Sequence, residues 1–361
     1  MDILKNSIQK LTQTKLAIPL TALFLLLVFN LIRDINFFKI VLVENHQGHT
    51  VLSGNLYNIL QRSTELVILT IGMTFVVSAV RGPDISVGSV AAIAVAVFNY
   101  IGYSNDRTLP FFLLAILACI FVSILFFAFN GTLVAVFRIE PVVASLILFM
   151  SGRSIAQWIG GGSIPPNTDW IRYISYSFPG VPIQTSLITT VIFIIIVALV
   201  LKFTNFRFNL HAVGKSEKTA RLRWVSPTYT KLFAFIFLGF CVALAGIIST
   251  SRQVGMSGSS SILPGVELDV ILALAISGNS LRGGKFSISG SIIGAYVVML
   301  LTETLFGFGV STLGIQAYKA AFLVLFLLFD SPVVRKRLGF KDQVLEVDEP
   351  EDVVHKGSGG D

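Results

Sequence analysis

Few side chains in this sequence have both the type and the spacing that bond chemistry needs. There is no His-Glu-x-x-His helix for a zinc ion, no Gly-x-Ser-x-Gly turn to present a nucleophile and no Cys-x-x-Cys pair. His46, His49, His211 and His355 fall in stretches between apolar runs, where a solvated side chain is a simpler reading than a shared metal. Cys119 and Cys241 lie inside apolar runs and read as small buried hydrophobes rather than a disulfide. Gly214-Lys215-Ser216 ends like a phosphate-binding loop, but the position that needs the opening glycine is Asn209 and no strand precedes it. The reading is therefore of a chain with no catalytic set, no metal site and no ATP site of its own.

What the sequence does offer is polar side chains inside otherwise apolar segments. Such groups are costly in lipid and face a bundle interior or a watery passage. Asp84, Ser86, Ser89, Asn99, Glu267, Asp269 and Asn279 are the candidate lining of a route for a polar solute. Each has a plainer alternative: Asp84 is placed to cap a helix opening at Ile85, and hydroxyls and amides also pack helices together. Glu65 and Arg153 are open to the same two readings. Glu303 and Lys319 fall at similar depths in adjacent runs and are expected to form a structural ion pair.

The elements that must hold these residues follow from composition. The 361 residues are 54% hydrophobic and only 13% charged, with a mean hydropathy of +0.80, against about 25% charged in soluble domains. Apolar segments of adequate hydrophobicity to enter the roughly 30 Å of hydrocarbon cover roughly 16–32, 58–80, 85–103, 109–130, 142–160, 186–203, 232–251, 266–280, 286–306 and 313–329. The fold class is all-α, a polytopic bundle of about ten transmembrane helices over residues 1–330. The short run at 266–280 is a possible broken or re-entrant segment. The first run has no small-residue cleavage site and reads as a retained helix.

The net charge of +7 does not point to nucleic acid, because its placement matters more than its sum. If the chain starts inside and alternates, the inner side receives Lys5, Lys10, Lys15, Arg81, Arg138, Arg282, Lys285, Arg335, Lys336 and Arg337. It also receives the 202–231 stretch, with Lys202, Arg207, Lys215, Lys218, Arg221, Arg223 and Lys231 against one acid, Glu217. Outer loops keep Arg33, Lys39, Arg107, Arg172 and Arg252. Both termini are thus expected in the cytoplasm, with 331–361 a flexible acidic tail.

A weak internal echo joins two parts of the chain. Arg-Gly-Pro-Asp-Ile-Ser-Val-Gly-Ser-Val at 81–90 and Arg-Gly-Gly-Lys-Phe-Ser-Ile-Ser-Gly-Ser-Ile at 282–292 share Arg-Gly, a central serine and Gly-Ser before an apolar residue, with one insertion. Internal repeats of this kind characterise transporters.

The strings at 68–94, 133–159, 212–222 and 265–287, taken in order, resemble the membrane permeases of bacterial ABC importers for simple sugars. Within the ribose, xylose and galactose group, 133–159 and 266–286 look closest to galactofuranose permeases. The resemblance implies a bacterial cytoplasmic-membrane location and a second permease subunit, identical or related. It also implies a cytoplasmic ATP-binding subunit that uses the ATP, and an extracytoplasmic sugar-binding protein. It makes 212–222, similar to the family's A-I-G-x-N-x-x-A-A-R, the element that couples to the ATPase, with Val213, Gly214, Glu217, Ala220 and Arg221 as its candidate residues inside a loop of about 204–231. No cofactor is expected on this chain.

The sequence departs from that family at Arg81-Gly82-Pro83-Asp84-Ile85-Ser86-Val87-Gly88, where the usual pattern is G-G-I-D-L-S-V-G. An arginine replaces a glycine there, and Arg282 recurs at the second echo, so both are expected at the cytoplasmic mouth, meeting headgroups or the ATPase. A nucleoside importer of the same architecture, an ion-coupled secondary transporter and a membrane scaffold stay open as alternatives on the residues alone.

Overall fold

Among the described residues there are twelve α-helices, most of them apolar runs that in lipid must satisfy every backbone group internally. They are α1 (Ala17–Arg33), α2 (Asn55–Val80), α3 (Val87–Ser104), α4 (Leu109–Ala135), α5 (Pro141–Gly160), α6 (Thr185–Phe203), α7 (Phe206–Lys215), α8 (Glu217–Leu222), α9 (Pro227–Arg252), α10 (Val266–Ile276), α11 (Ile288–Gly307) and α12 (Thr312–Asp330). One antiparallel hairpin, β1 (Val41–Glu44) with β2 (Thr50–Ser53), joins α1 to α2, with Leu42 opposite Leu52. This computed structural model describes residues 16–44, 50–104, 108–160, 170, 171, 174, 183–253, 258–279, 283, 284 and 286–330. The expected tail at 331–361 lies outside them, as do Lys5, Lys10, Lys15, His46, His49, Arg107, Arg172, Arg282, Lys285, Arg335, Lys336, Arg337 and His355.

Seven stretches are long and apolar enough to cross a membrane, and three shorter apolar helices, within α1, α3 and α12, bring the described total to the ten that the sequence suggests. Their burial differs sharply. Every residue of α2 from Ser63 to Ala79 is buried among other helices, which is why this span tolerates Thr64, Thr70, Thr74 and Ser78. By contrast α4, α5 and α6 present exposed Phe121, Ile147, Met150, Ile192 and Ile196, the surface that lipid covers. Cys119 and Cys241 are free thiols, both buried in the helix packing as their surroundings in the sequence suggest.

Two spans are interrupted. After α2 ends at Val80 the chain doubles back, so that the Asp84 amide donates to the Met73 sulfur at 3.4 Å. Met73 stands seven residues before the end of α2, about 10 Å back along its axis. The next helix opens at Val87 rather than Ile85: the Val90 amide donates to the Ser86 carbonyl at 2.8 Å, which makes Ser86 the cap residue. The second interruption lies between α9 and α10, where a 3-10 turn at Ser259–Ser261 and left-handed Leu263 and Gly265 precede an eleven-residue helix. The expected broken segment is there, ending at Ile276 instead of 280.

Candidate functional site

At one end of the bundle α7 and α8 fold across the helix ends. Phe206, Leu210, Val213 and Gly214 recur at helical spacing and give α7 an inward face. Phe206 stacks on Phe75 of α2 with ring centroids 5.8 Å apart and meets Phe233 of α9 edge-on at 4.7 Å. Gly214 lies where the backbones converge: a β-carbon there would overlap the Ser78 carbonyl oxygen and come within 2.9 Å of the Gly284 nitrogen. Ser216 then caps α8, its hydroxyl accepting from the Thr219 amide at 3.3 Å. The coupling stretch 212–222 thus contains a short capped helix, Glu217–Leu222.

The five candidate coupling residues divide by direction. Val213, Gly214 and Ala220 are buried and hold the element to the bundle. Glu217 is half-buried and pairs with Lys231 of α9, whose hydrogen bond holds its carboxyl below the usual glutamate range. Only Arg221 faces fully outward, beside two residues that the sequence reading missed. Leu222 is 83% exposed and Trp224 98% exposed, on a left-handed turn after α8. Their signal was available: two large apolar side chains in the most basic stretch of the chain, next to a helix too short to bury them.

The seven candidate pathway residues gather at the two interruptions and at nearby helix contacts. Asp84 accepts from the Ser86 amide at 2.7 Å and from Asn130 of α4 at 3.0 Å, while the Ile85 amide donates to Ser145 at 3.1 Å. This set satisfies the first interruption. Ser89 donates to the Phe149 carbonyl at 2.9 Å, a contact between α3 and α5. Asn279 works as Asp84 does, with its oxygen accepting from the Ser287 amide at 2.8 Å at the start of α11, and its nitrogen donating to Ser291 at 2.8 Å. The two echo strings therefore share a geometry: a buried side-chain oxygen holds the amide of the serine that caps the next helix.

The remaining candidates lie around the second interruption. Arg153 of α5 donates to the carbonyls of Ser260 (2.7 Å), Ile262 (3.1 Å) and Leu263 (3.2 Å), and pairs with Glu267 at 3.4 Å. Asn99 faces Thr250 and Ser259 at 3.5 and 3.4 Å. Asp269 pairs with Lys319 of α12 at 2.9 Å, and Glu303 pairs with Arg62 of α2 at 3.4 Å. The expected Glu303–Lys319 pair is thus replaced by two others, because α10 and α2 interpose their own charges at that depth. Arg252, expected in an outer loop, is the last residue of α9 and reaches back to Glu65 at 3.0 Å and Thr64 at 2.6 Å.

Ion pairs, helix caps and interhelical hydrogen bonds partner these buried groups. Among the described residues no three His, Cys, Asp or Glu side chains gather as a metal site. The arrangement suits a scaffold with polar, interrupted helices at membrane depth and one basic end open to a partner.

Residues 55–329 match the family model described as branched-chain amino acid transport system / permease component. The chain is 34% identical to the galactofuranose transporter permease of Escherichia coli K12, over 77% of this chain and 79% of that one. It is 28% identical to the fructose import permease of Bifidobacterium longum, over 91% of each. Against the ribose import permease of Escherichia coli K12 the identity is 30%, over 77% and 85%. No solved structure matches.

Proposed function

The chain belongs to the permease components of the branched-chain amino acid transport family, among the permeases of simple-sugar ABC importers, and from this membership we propose that it carries a galactofuranose- or ribose-like monosaccharide inward. Two copies, or this chain and a related subunit, enclose the route. A separate cytoplasmic ATPase burns the ATP, and an extracytoplasmic binding protein delivers the sugar. The permease does no bond chemistry.

The observation that carries the reading is the split within 212–224. Val213, Gly214 and Ala220 anchor α7–α8 to the bundle, and Arg221, Leu222 and Trp224 point away from it. An element so built is fixed at its back and free at its front, which is what a lever between two proteins requires. The excess of cations at this end supports its facing the cytoplasm, with both termini on the same side. Closure of the ATPase dimer on ATP displaces α8, and α7 passes the movement to the helix ends beneath it. Asp84, Ser86, Ser89, Asn99, Glu267, Asp269 and Asn279 contribute by keeping the interrupted backbones next to the route in shape, while the binding protein supplies affinity for the sugar.

Purification of the tagged chain from its native membrane tests this. An ATPase and a binding protein for galactofuranose, ribose or a related sugar should come with it. A nucleoside-binding protein would keep the architecture and replace the solute, and an active transporter with no ATPase would overturn the importer.

A further inference from the structure

Arg81 follows the last residue of α2 with φ of 64°, a left-handed conformation that disfavours a side chain with a β-carbon. What holds it there is a set of contacts with two other parts of the chain. Its Nε donates to the Gly214 carbonyl at 2.8 Å, and its Nη2 donates to the Lys215 carbonyl. These carbonyls end α7, have no partner within the helix and carry the negative end of its dipole. The aliphatic stem packs on Gly283, where a β-carbon would stand 2.6 Å from Arg81 Cγ. Alongside, the Gly284 amide donates to the Ser78 carbonyl at 3.5 Å.

One side chain therefore ties the end of α2, on which it sits, to the end of α7 and to Gly283 of the α10–α11 connection, where the second echo begins. The family pattern has glycine at this position; glycine would adopt the left-handed turn without strain and bind neither carbonyl. Nε and Nη2 of Arg81 are both engaged with backbone carbonyls of the same chain, while the residue as a whole is exposed at this end of the bundle.

We propose that Arg81 is a positioning residue that clamps the carboxyl end of α7 to the two echo segments, so that a displacement of α8 moves all three together. Its role in transport rests on the importer reading; the clamp itself does not.

The test compares wild type, Arg81→Gly and Arg81→Lys as full complexes in lipid nanodiscs, by amide exchange over 206–222 and by sugar taken up per ATP hydrolysed. Loss of both hydrogen bonds in Arg81→Gly should speed exchange over 206–222 about tenfold, with normal recovery of the complex. Uptake per ATP should fall with it. Lysine keeps the charge without the fork and should give an intermediate exchange rate. Unchanged exchange in Arg81→Gly overturns the clamp, and faster exchange with unchanged uptake per ATP overturns its part in transmission. If Arg81→Gly does not assemble, Arg81→Lys is read alone, and unchanged exchange overturns the clamp there. Wild type recovered without any ATPase would count against the importer reading, while the exchange rates would still decide the clamp.

Discussion

Asp84 and Arg153 solve opposite halves of one problem. A chain that leaves helical conformation at membrane depth bares amides and carbonyls that no water reaches. At the first interruption the bared groups include amides, and a carboxylate receives the one at Ser86. At the second they are carbonyls, and a guanidinium donates to three of them. Arg153→Ala should therefore strip those carbonyls and leave Glu267 buried without its cation, a loss of about 3–5 kcal/mol that appears as a large drop in thermal unfolding temperature in detergent. Arg153→Ala with Glu267→Gln should recover part of it. Glu217 poses a different test. Its carboxyl ionises more readily in the folded chain, so its pairing with Lys231 stabilises above the unfolded carboxyl's range and is lost as pH falls through the lower folded value. Exchange over α8, corrected for intrinsic rates, should rise only below about pH 4.3, and Glu217→Gln should remove that step.

At the scale of elements, the helices were legible and their interruptions were only half so. The ten apolar runs map onto the described helices because length and hydropathy set a membrane span almost alone. The broken run at 266–280 was visible as a span too short to cross. Nothing in Arg81-Gly82-Pro83 tells a loop at a helix end from one folded back beside Met73, since periodicity carries no information on depth. The ion pairs were illegible for a related reason: equal depth permits Glu303–Lys319, but α2 and α10 bring Arg62 and Asp269 closer. In α8 the sequence located the element, while burial alone separates its anchors from its free face. Leu222→Ala with Trp224→Ala should leave folding and the α7 packing intact, because neither side chain is covered, yet reduce ATPase recovered on the tagged permease about tenfold or more. Pull-down at matched expression reads this, and undiminished recovery would move the docking face elsewhere.

For the whole molecule, family and architecture agree on a membrane permease. Among the described residues four ion pairs join helices that are not consecutive in sequence: α2 to α9, α2 to α11, α5 to α10 and α10 to α12. Each ties an interrupted or inner span to a neighbour. That suits a device driven from α8 at one end. The central claim is ATP-driven sugar import, and its most direct test is uptake into proteoliposomes holding the permease and its co-purified ATPase. Labelled galactofuranose or ribose is supplied with the recovered binding protein. Uptake that needs both ATP and the binding protein, and ignores proton and sodium gradients, is the expected result. Uptake that follows an ion gradient with no ATP present would contradict the account.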